Sequence, residues 1–304
     1  MPYHLEKQAR LQPLYPITRH LQKRKNYPPA LTIQELLETE VQSLAEKRLL
    51  CALSEARYLT ISQIAELFYA VKADGQPANE QTVRPRPNEE YTTTAGYGSA
   101  RKLIKGCEAR GTLVLHEYKH KQYNKERRDR TVPKLVMLPT QKPPAPSNWW
   151  HEVERGQLYV DFHKTGKIIG WYSKWPRPEY MEFGKRHGVQ PDSMFELDGV
   201  DCRFCIELDR GTEDWTDLEE KIQKYAGLMQ SAGSNICPIF FLQPGYRLDL
   251  RAKGLKLVQT IQSLGRRQPF LVTSYELALS DPLAAVYDDC YTSTPRSPLD
   301  FGSY

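Results

Sequence analysis

Residues 191–213 read PDSMFELDGVDCRFCIELDRGTE, and their pattern decides the fold of the second half of the chain. Two apolar segments, MFEL (194–197) and CRFCIEL (202–208), flank Asp198-Gly199, a dipeptide suited to a tight hairpin. The segments are expected to pair as antiparallel strands. Residues i and i+2 of a strand share a face, so Glu207 and Asp209 point the same way. Asp192, just ahead of the partner strand, is close enough in sequence to converge on them. Carboxylates from adjacent strands make a hard-oxygen site suited to Mg²⁺. Such a metal polarises a phosphodiester and activates water. The competing expectation is a strand-end turn whose carboxylates are satisfied by backbone N–H groups.

Downstream, DWTDLEEKIQKYAGLMQS (214–231) predicts a helix with Leu218, Ile222, Tyr225, Ala226 and Met229 as its buried stripe. Thr216-Asp-Leu-Glu219 reads as a capping box at its start. Lys221 and Tyr225 lie four apart and share a face. CPIFFL (237–242) is a buried strand, 249–264 a helix, PFLVTS (269–274) a strand and 281–287 a final turn. Upstream, 149–164 predicts a helix and 168–173 a strand. Glu152 and Glu154 on that helix are further candidate acids. Strands alternating with helices indicate a mixed α/β domain over 149–287. Residues 288–304 read as a disordered tail.

The front half has another grammar. Residues 39–57 and the segment from Thr60 onward predict two helices, the second started by a Thr60/Gln63 capping box with Ile61, Ile64, Ala65, Leu67 and Phe68 buried, and Gln63 and Glu66 outside. A loop rich in Pro, Asn and acids covers 71–91. A third helix fits 97–110: Ala100, Leu103, Ile104 and Cys107 form the apolar stripe, and Arg101, Lys102, Lys105 and Arg110 the rest of the cylinder. Gly111 is placed to end it. TLVLHE (112–117) and VPKLVML (132–138) then bracket a tip carrying Lys119, Lys121, Lys125, Arg127, Arg128 and Arg130 against only Glu126 and Asp129. Three helices followed by a hairpin is the order of a winged helix-turn-helix, assigned here to 35–141. Its third helix would enter the major groove and its basic wing would grip the backbone. Residues 1–34 are a basic, proline-punctuated arm, and 142–148 lie in a proline-rich stretch that reads as the linker between domains.

The order Pro-Asp, then Glu-x-(charged) about 15 residues on, looks like the PD-(D/E)xK nuclease pattern, with Asp209 where that pattern has lysine. Lys221-x-x-x-Tyr225 resembles the helix motif that follows the core in several such nucleases. The longer string PDSMFEL…FCIELDRGTE…EEKIQKYAGL, behind a winged helix and a proline linker, resembles the replication-relaxation family of DNA-associated proteins from plasmids and mobile elements. The resemblance implies a DNA-binding front half and a restriction-endonuclease-like back half, a mixed sheet flanked by helices. Asp192, Glu207, Asp209, Lys221 and Tyr225 would be the catalytic positions, with Asp192 and Glu207 holding Mg²⁺. The expected partners are double-stranded DNA and replication or transposition proteins. Three functions follow: a DNA-binding protein acting in replication, mobilisation or their control; a Mg²⁺-dependent endonuclease directed by its winged helix; or a non-catalytic scaffold.

Charge agrees with two modules. Residues 1–141 hold 23 Lys+Arg against 15 Asp+Glu, and the remainder 19 against 22, within an overall +5. A basic module suits a polyanion. No run approaches a membrane span, the N-terminus has no signal-peptide core, and a cytoplasmic protein is expected. The six cysteines include Cys202 and Cys205 in one strand-like run, where their side chains would diverge. They read as buried, reduced thiols.

Overall fold

A computed structural model describes residues 43–69, 96–118, 133–173, 188–210, 214–232, 235–242, 250–264, 269–284, 287–289 and 295–301. The arm (1–34), the loop 71–91 and the charged tip 119–132 lie outside the described residues. The chain divides into two compact units, Met1–Val160 and Asp161–Tyr304. It is a mixed α/β protein, and among the described residues each unit holds one sheet.

In the first unit, α1 (Leu44–Ala56) starts where Ser43 accepts a hydrogen bond from the Glu46 N–H. A two-residue strand, β1 (Leu59–Thr60), follows, and then α2 (Ile61–Tyr69). The predicted capping box forms: the Thr60 N–H donates to Gln63 Oε1 at 2.8 Å, and the Gln63 N–H donates to Thr60 Oγ1 at 3.2 Å. α3 (Tyr97–Ala109) buries Ala100, Ile104 and Cys107. It ends in a Schellman motif on Gly111, whose φ of +74° favours glycine. There the Thr112 N–H reaches the Cys107 carbonyl. β2 (Val114–His116) and β3 (Leu135–Met137) pair antiparallel. β1 adds to the other side of β3, giving the order β1-β3-β2. β1 is too short for a sequence pattern to announce.

α4 (Trp149–Lys164) carries the first unit's last residues, up to Val160. Trp149 and Val153 pack with Tyr58, Leu135 and Met137. This corrects the expectation that Gln63 and Glu66 lie outside the core. Both are buried, because α4 covers them. Gln63 Nε2 donates to the Val153 carbonyl at 2.7 Å, and Gln157 Nε2 to Glu66 at 3.1 Å. Gly156 permits the approach: a Cβ there would lie 2.8 Å from Gln63 Oε1. The proline-rich stretch 142–148 lies within this unit. Tyr58 donates its hydroxyl to the Lys142 carbonyl, and Pro146–Asn148 form a 3₁₀ turn leading into α4.

The second unit is built on a seven-stranded sheet, β10-β9-β8-β7-β6-β5-β4. β4 (Ile168–Tyr172), β5 (Ser193–Leu197) and β6 (Arg203–Asp209) pair antiparallel, the last two across the Asp198-Gly199 turn. After α5 (Trp215–Ala232), β7 (Ile236–Leu242) lies parallel to β6. After α6 (Leu250–Ser263), β8 (Leu271–Ser274) lies parallel to β7. Parallel neighbours need a crossover, which α5 and α6 supply. β7 is buried at every position, as expected of a strand covered on both faces. On one face Met194, Cys205, Phe240 and Leu242 meet the α5 and α6 stripes. On the other, Phe195, Phe204 and Phe241 pack with Phe162, Trp171 and Phe301.

Three expectations need correction here. α5 begins at Trp215, where the Leu218 N–H donates to the Asp214 carbonyl, so Thr216 lies inside the first turn and does not cap it. A short helix, α7 (Tyr275–Ser280), is started by Ser274, which accepts the Leu277 N–H; no helix was expected there. The stretch expected to be a disordered tail contributes β9 (Tyr287–Asp289) and β10 (Pro295–Arg296), and then a 3₁₀ turn whose Phe301 is buried against Phe204. Strand pairing to β8, the Ser297 hydroxyl donating to the Leu283 carbonyl and the buried Phe301 ring hold this stretch, none of which its polar composition announces.

Candidate functional site

β6 presents two buried acids on the face covered by α5 and α6. Asp192 stands one residue before β5, where the register Ser193↔Ile206 brings it opposite Glu207. Its backbone N–H donates to the Ile206 carbonyl, and its Oδ2 accepts the Leu208 N–H at 2.8 Å. Glu207 is held from α5. Tyr225 donates its hydroxyl to Oε1 at 2.6 Å, and the Lys221 ammonium lies 2.8 Å from Oε2. Four-residue spacing on a helix puts Lys221 and Tyr225 one above the other, so both reach the same carboxylate. A cavity of about 280 Å³ opens here, lined by Gln190, Glu207, Asp217, Glu220, Lys221 and Lys224.

Burial pushes the Glu207 carboxyl up to about 7. The Lys221 ammonium acts against that rise, the Asp192 carboxylate adds to it, and the Tyr225 hydroxyl lowers it again. Tyr225, fully buried beside this acid, is driven well above the usual phenol range.

Asp209 is not part of that cluster. It pairs with Lys253 of α6, and both are buried. The sequence reading missed Lys253. Its signal was present: Lys253, Leu257 and Ile261 recur every four residues, so a lysine occupies the apolar stripe, where it needs an anionic partner. Of the residues singled out from the sequence, then, Asp192, Glu207, Lys221 and Tyr225 come together, and Asp209 stands with Lys253. Glu152 ion-pairs with Arg155, which also donates to the Ala56 carbonyl.

The Mg²⁺ expected at Asp192 and Glu207 meets an unsuitable donor set. Mg²⁺ takes near-octahedral oxygen ligands at about 2.0–2.1 Å and sheds water reluctantly. Both Glu207 oxygens are engaged and one Asp192 oxygen holds a backbone N–H. Among the described residues no three His, Cys, Asp or Glu gather as a metal site. The residues as folded do not fit the ion.

In the first unit, α3 separates its residues cleanly. Ala100, Ile104 and Cys107 are buried, while Arg101, Lys102 and Lys105 are exposed. Arg110 has a different task. It donates to the fully buried Glu46 at 2.6 Å, and Thr112 donates to the other Glu46 oxygen at 2.9 Å, tying α1 to the end of α3. Lys119, Lys121, Lys125, Arg127, Arg128 and Arg130 lie outside the described residues. Cys202 and Cys205 are free and buried. No helix among the described residues is long and apolar enough to cross a membrane.

No curated protein and no solved structure matches the chain. The family model described as replication-relaxation matches residues 99–236, from α3 to the first residue of β7, so the family resemblance read from the sequence is borne out over that span.

Proposed function

We propose that this protein binds double-stranded DNA through its first unit, in the replication or relaxation of a plasmid or other mobile element, and that its nuclease-like second unit does not cut. The family match supports the replication or relaxation role. One observation carries the DNA reading: α3 turns Arg101, Lys102 and Lys105 to solvent while its other face is packed, directly ahead of the β2–β3 hairpin. A helix so arranged, followed by an antiparallel hairpin on a small sheet, is the working part of a winged helix-turn-helix. The helix lies in the major groove and the hairpin tip meets the phosphates. The non-cutting half of the reading rests on the engagement of Glu207 by Lys221 and Tyr225.

The test is fluorescence anisotropy with a labelled random-sequence duplex over a range of salt. Wild type should bind with an affinity that falls steeply as salt rises. Replacing Arg101, Lys102 and Lys105 by alanine should weaken binding and flatten that dependence by roughly one unit of slope for each phosphate no longer neutralised. Neutralising Lys119, Lys121, Arg127, Arg128 and Arg130 should do the same for the tip. Unchanged affinity and slope in both variants would sink the DNA reading. Separately, supercoiled plasmid incubated with Mg²⁺ or Mn²⁺ should stay intact. Nicking that disappears in Glu207→Ala would overturn the non-cutting half and leave a directed endonuclease.

A further inference from the structure

We propose that the Lys221 ammonium is the built-in counter-ion of the Asp192–Glu207 pair, standing where a metal-dependent site would take a divalent cation, and that it makes this unit indifferent to Mg²⁺ and Mn²⁺. The inference rests on the non-cutting reading above and gives it a physical cause.

Two carboxylates on neighbouring strands repel each other and are costly to bury unless a cation sits with them. Here the cation comes from the chain itself. Lys221 reaches Glu207 Oε2 at 2.8 Å, an ordinary length for a charge-assisted hydrogen bond. Tyr225 takes the other oxygen. Asp192, opposite Glu207, is anchored by the Leu208 N–H. An ammonium satisfies such a cluster with three donors and one charge. A divalent ion would need several oxygens around it and would have to displace an ammonium that its own helix holds in place.

The neighbouring pair repeats the arrangement in a sealed setting. Asp209 is matched by Lys253, again a lysine from a helix packed on the sheet. The difference is access. Lys221 lines the cavity together with Gln190, Asp217 and Glu220, so an ion from solvent could arrive if the ammonium were absent. Asp217 and Glu220 would add negative charge at the entrance. The lysine is therefore what excludes the metal, and its removal should create a site.

The experiment titrates Mn²⁺ into the full-length protein and follows the free ion by electron paramagnetic resonance. Wild type should take up no Mn²⁺ that Glu207→Gln abolishes. Lys221→Met, close in shape and uncharged, should gain one equivalent, bound at least about tenfold more tightly than by wild type. Adding Glu207→Gln to that variant should remove the gain. Circular dichroism verifies that each variant is folded. If Lys221→Met does not fold, Lys221→Gln takes its place, and the comparison of wild type with Glu207→Gln decides by itself. Wild type binding one Mn²⁺ through Glu207 overturns the proposal, as does a folded lysine variant that gains none. Neither readout uses cleavage, so this proposal and the non-cutting reading can fail separately.

Discussion

Glu207 and Asp209 stand two residues apart on one face of β6, and each meets a lysine from a helix packed on that face. Their surroundings differ. The Lys221 side chain is 27% exposed and borders a cavity, and Glu207 has Tyr225 as a second partner. The Lys253 side chain is 5% exposed, and its partner Asp209 is equally enclosed. One pair borders a cavity open to solvent; the other is enclosed. Charge type and spacing are nearly the same at both places. Access is what separates a candidate site from a structural ion pair.

The sharpest way to break that comparison is to remove each lysine. Lys253→Met strands a buried carboxylate, a loss that costs about 3–5 kcal/mol in comparable pairs. Lys221→Met should cost less than half as much, because Glu207 keeps Tyr225 and can take up a proton near neutral pH. Urea unfolding of both variants measures the difference. Adding Asp209→Asn to Lys253→Met should recover much of the loss, since the lone charge is gone. Equal destabilisation by the two lysine variants would show that the sites are not distinct.

A smaller effect is expected from pH. The Glu207 carboxyl is raised to about 7 from an ordinary value of 4.5, with burial the leading cause. The folded state therefore holds this proton more tightly than the unfolded chain does. Its contribution to stability is complete below about 4.5, declines as pH climbs toward 7 and levels off above that. Urea midpoints taken across this window should fall with rising pH in wild type, and the decline should be shallower in Glu207→Gln. Identical slopes would show that Glu207 is not held as described.

Most of this fold was legible because it is written in short-range patterns. The Thr60/Gln63 box, the α3 stripe, Gly111 and the Asp198-Gly199 hairpin each use residues adjacent on one element. So does the Lys221/Tyr225 spacing. What escaped was long-range. Gln63 and Glu66 read as solvent-facing because nothing local reveals that α4 lies over them. Lys253 is separated from Asp209 by a helix and a strand, so only its place on an apolar stripe could hint at burial. β1 and the last two strands exist because a partner strand is present, and Phe301 packs on the sequence-distant Phe204 ring. The candidate site was read as three carboxylates with Lys221 and Tyr225; the structure gives Glu207 those two partners and pairs Asp209 with Lys253, which the sequence did not announce.

Tyr225→Phe sharpens the comparison with the least disturbance. It removes one hydroxyl, keeps the ring in the α5 stripe and leaves Asp209 and Lys253 untouched. The lost hydrogen bond to a charged acceptor should cost about 1–3 kcal/mol where Glu207 is ionised, and less where it is protonated. The Tyr225 hydroxyl lowers the Glu207 carboxyl, so its removal should move that group further up and carry the pH-dependent decline to higher pH. Lys221→Met should move it in the same direction and further, because the ammonium is the stronger of the two influences holding Glu207 down. Lys253→Met, acting on the other carboxylate, should lower stability without displacing the Glu207 titration. If the Lys253 variant moved that titration as much as the Lys221 variant does, the two ends of β6 would behave as a single charged cluster, and access could no longer be what distinguishes them.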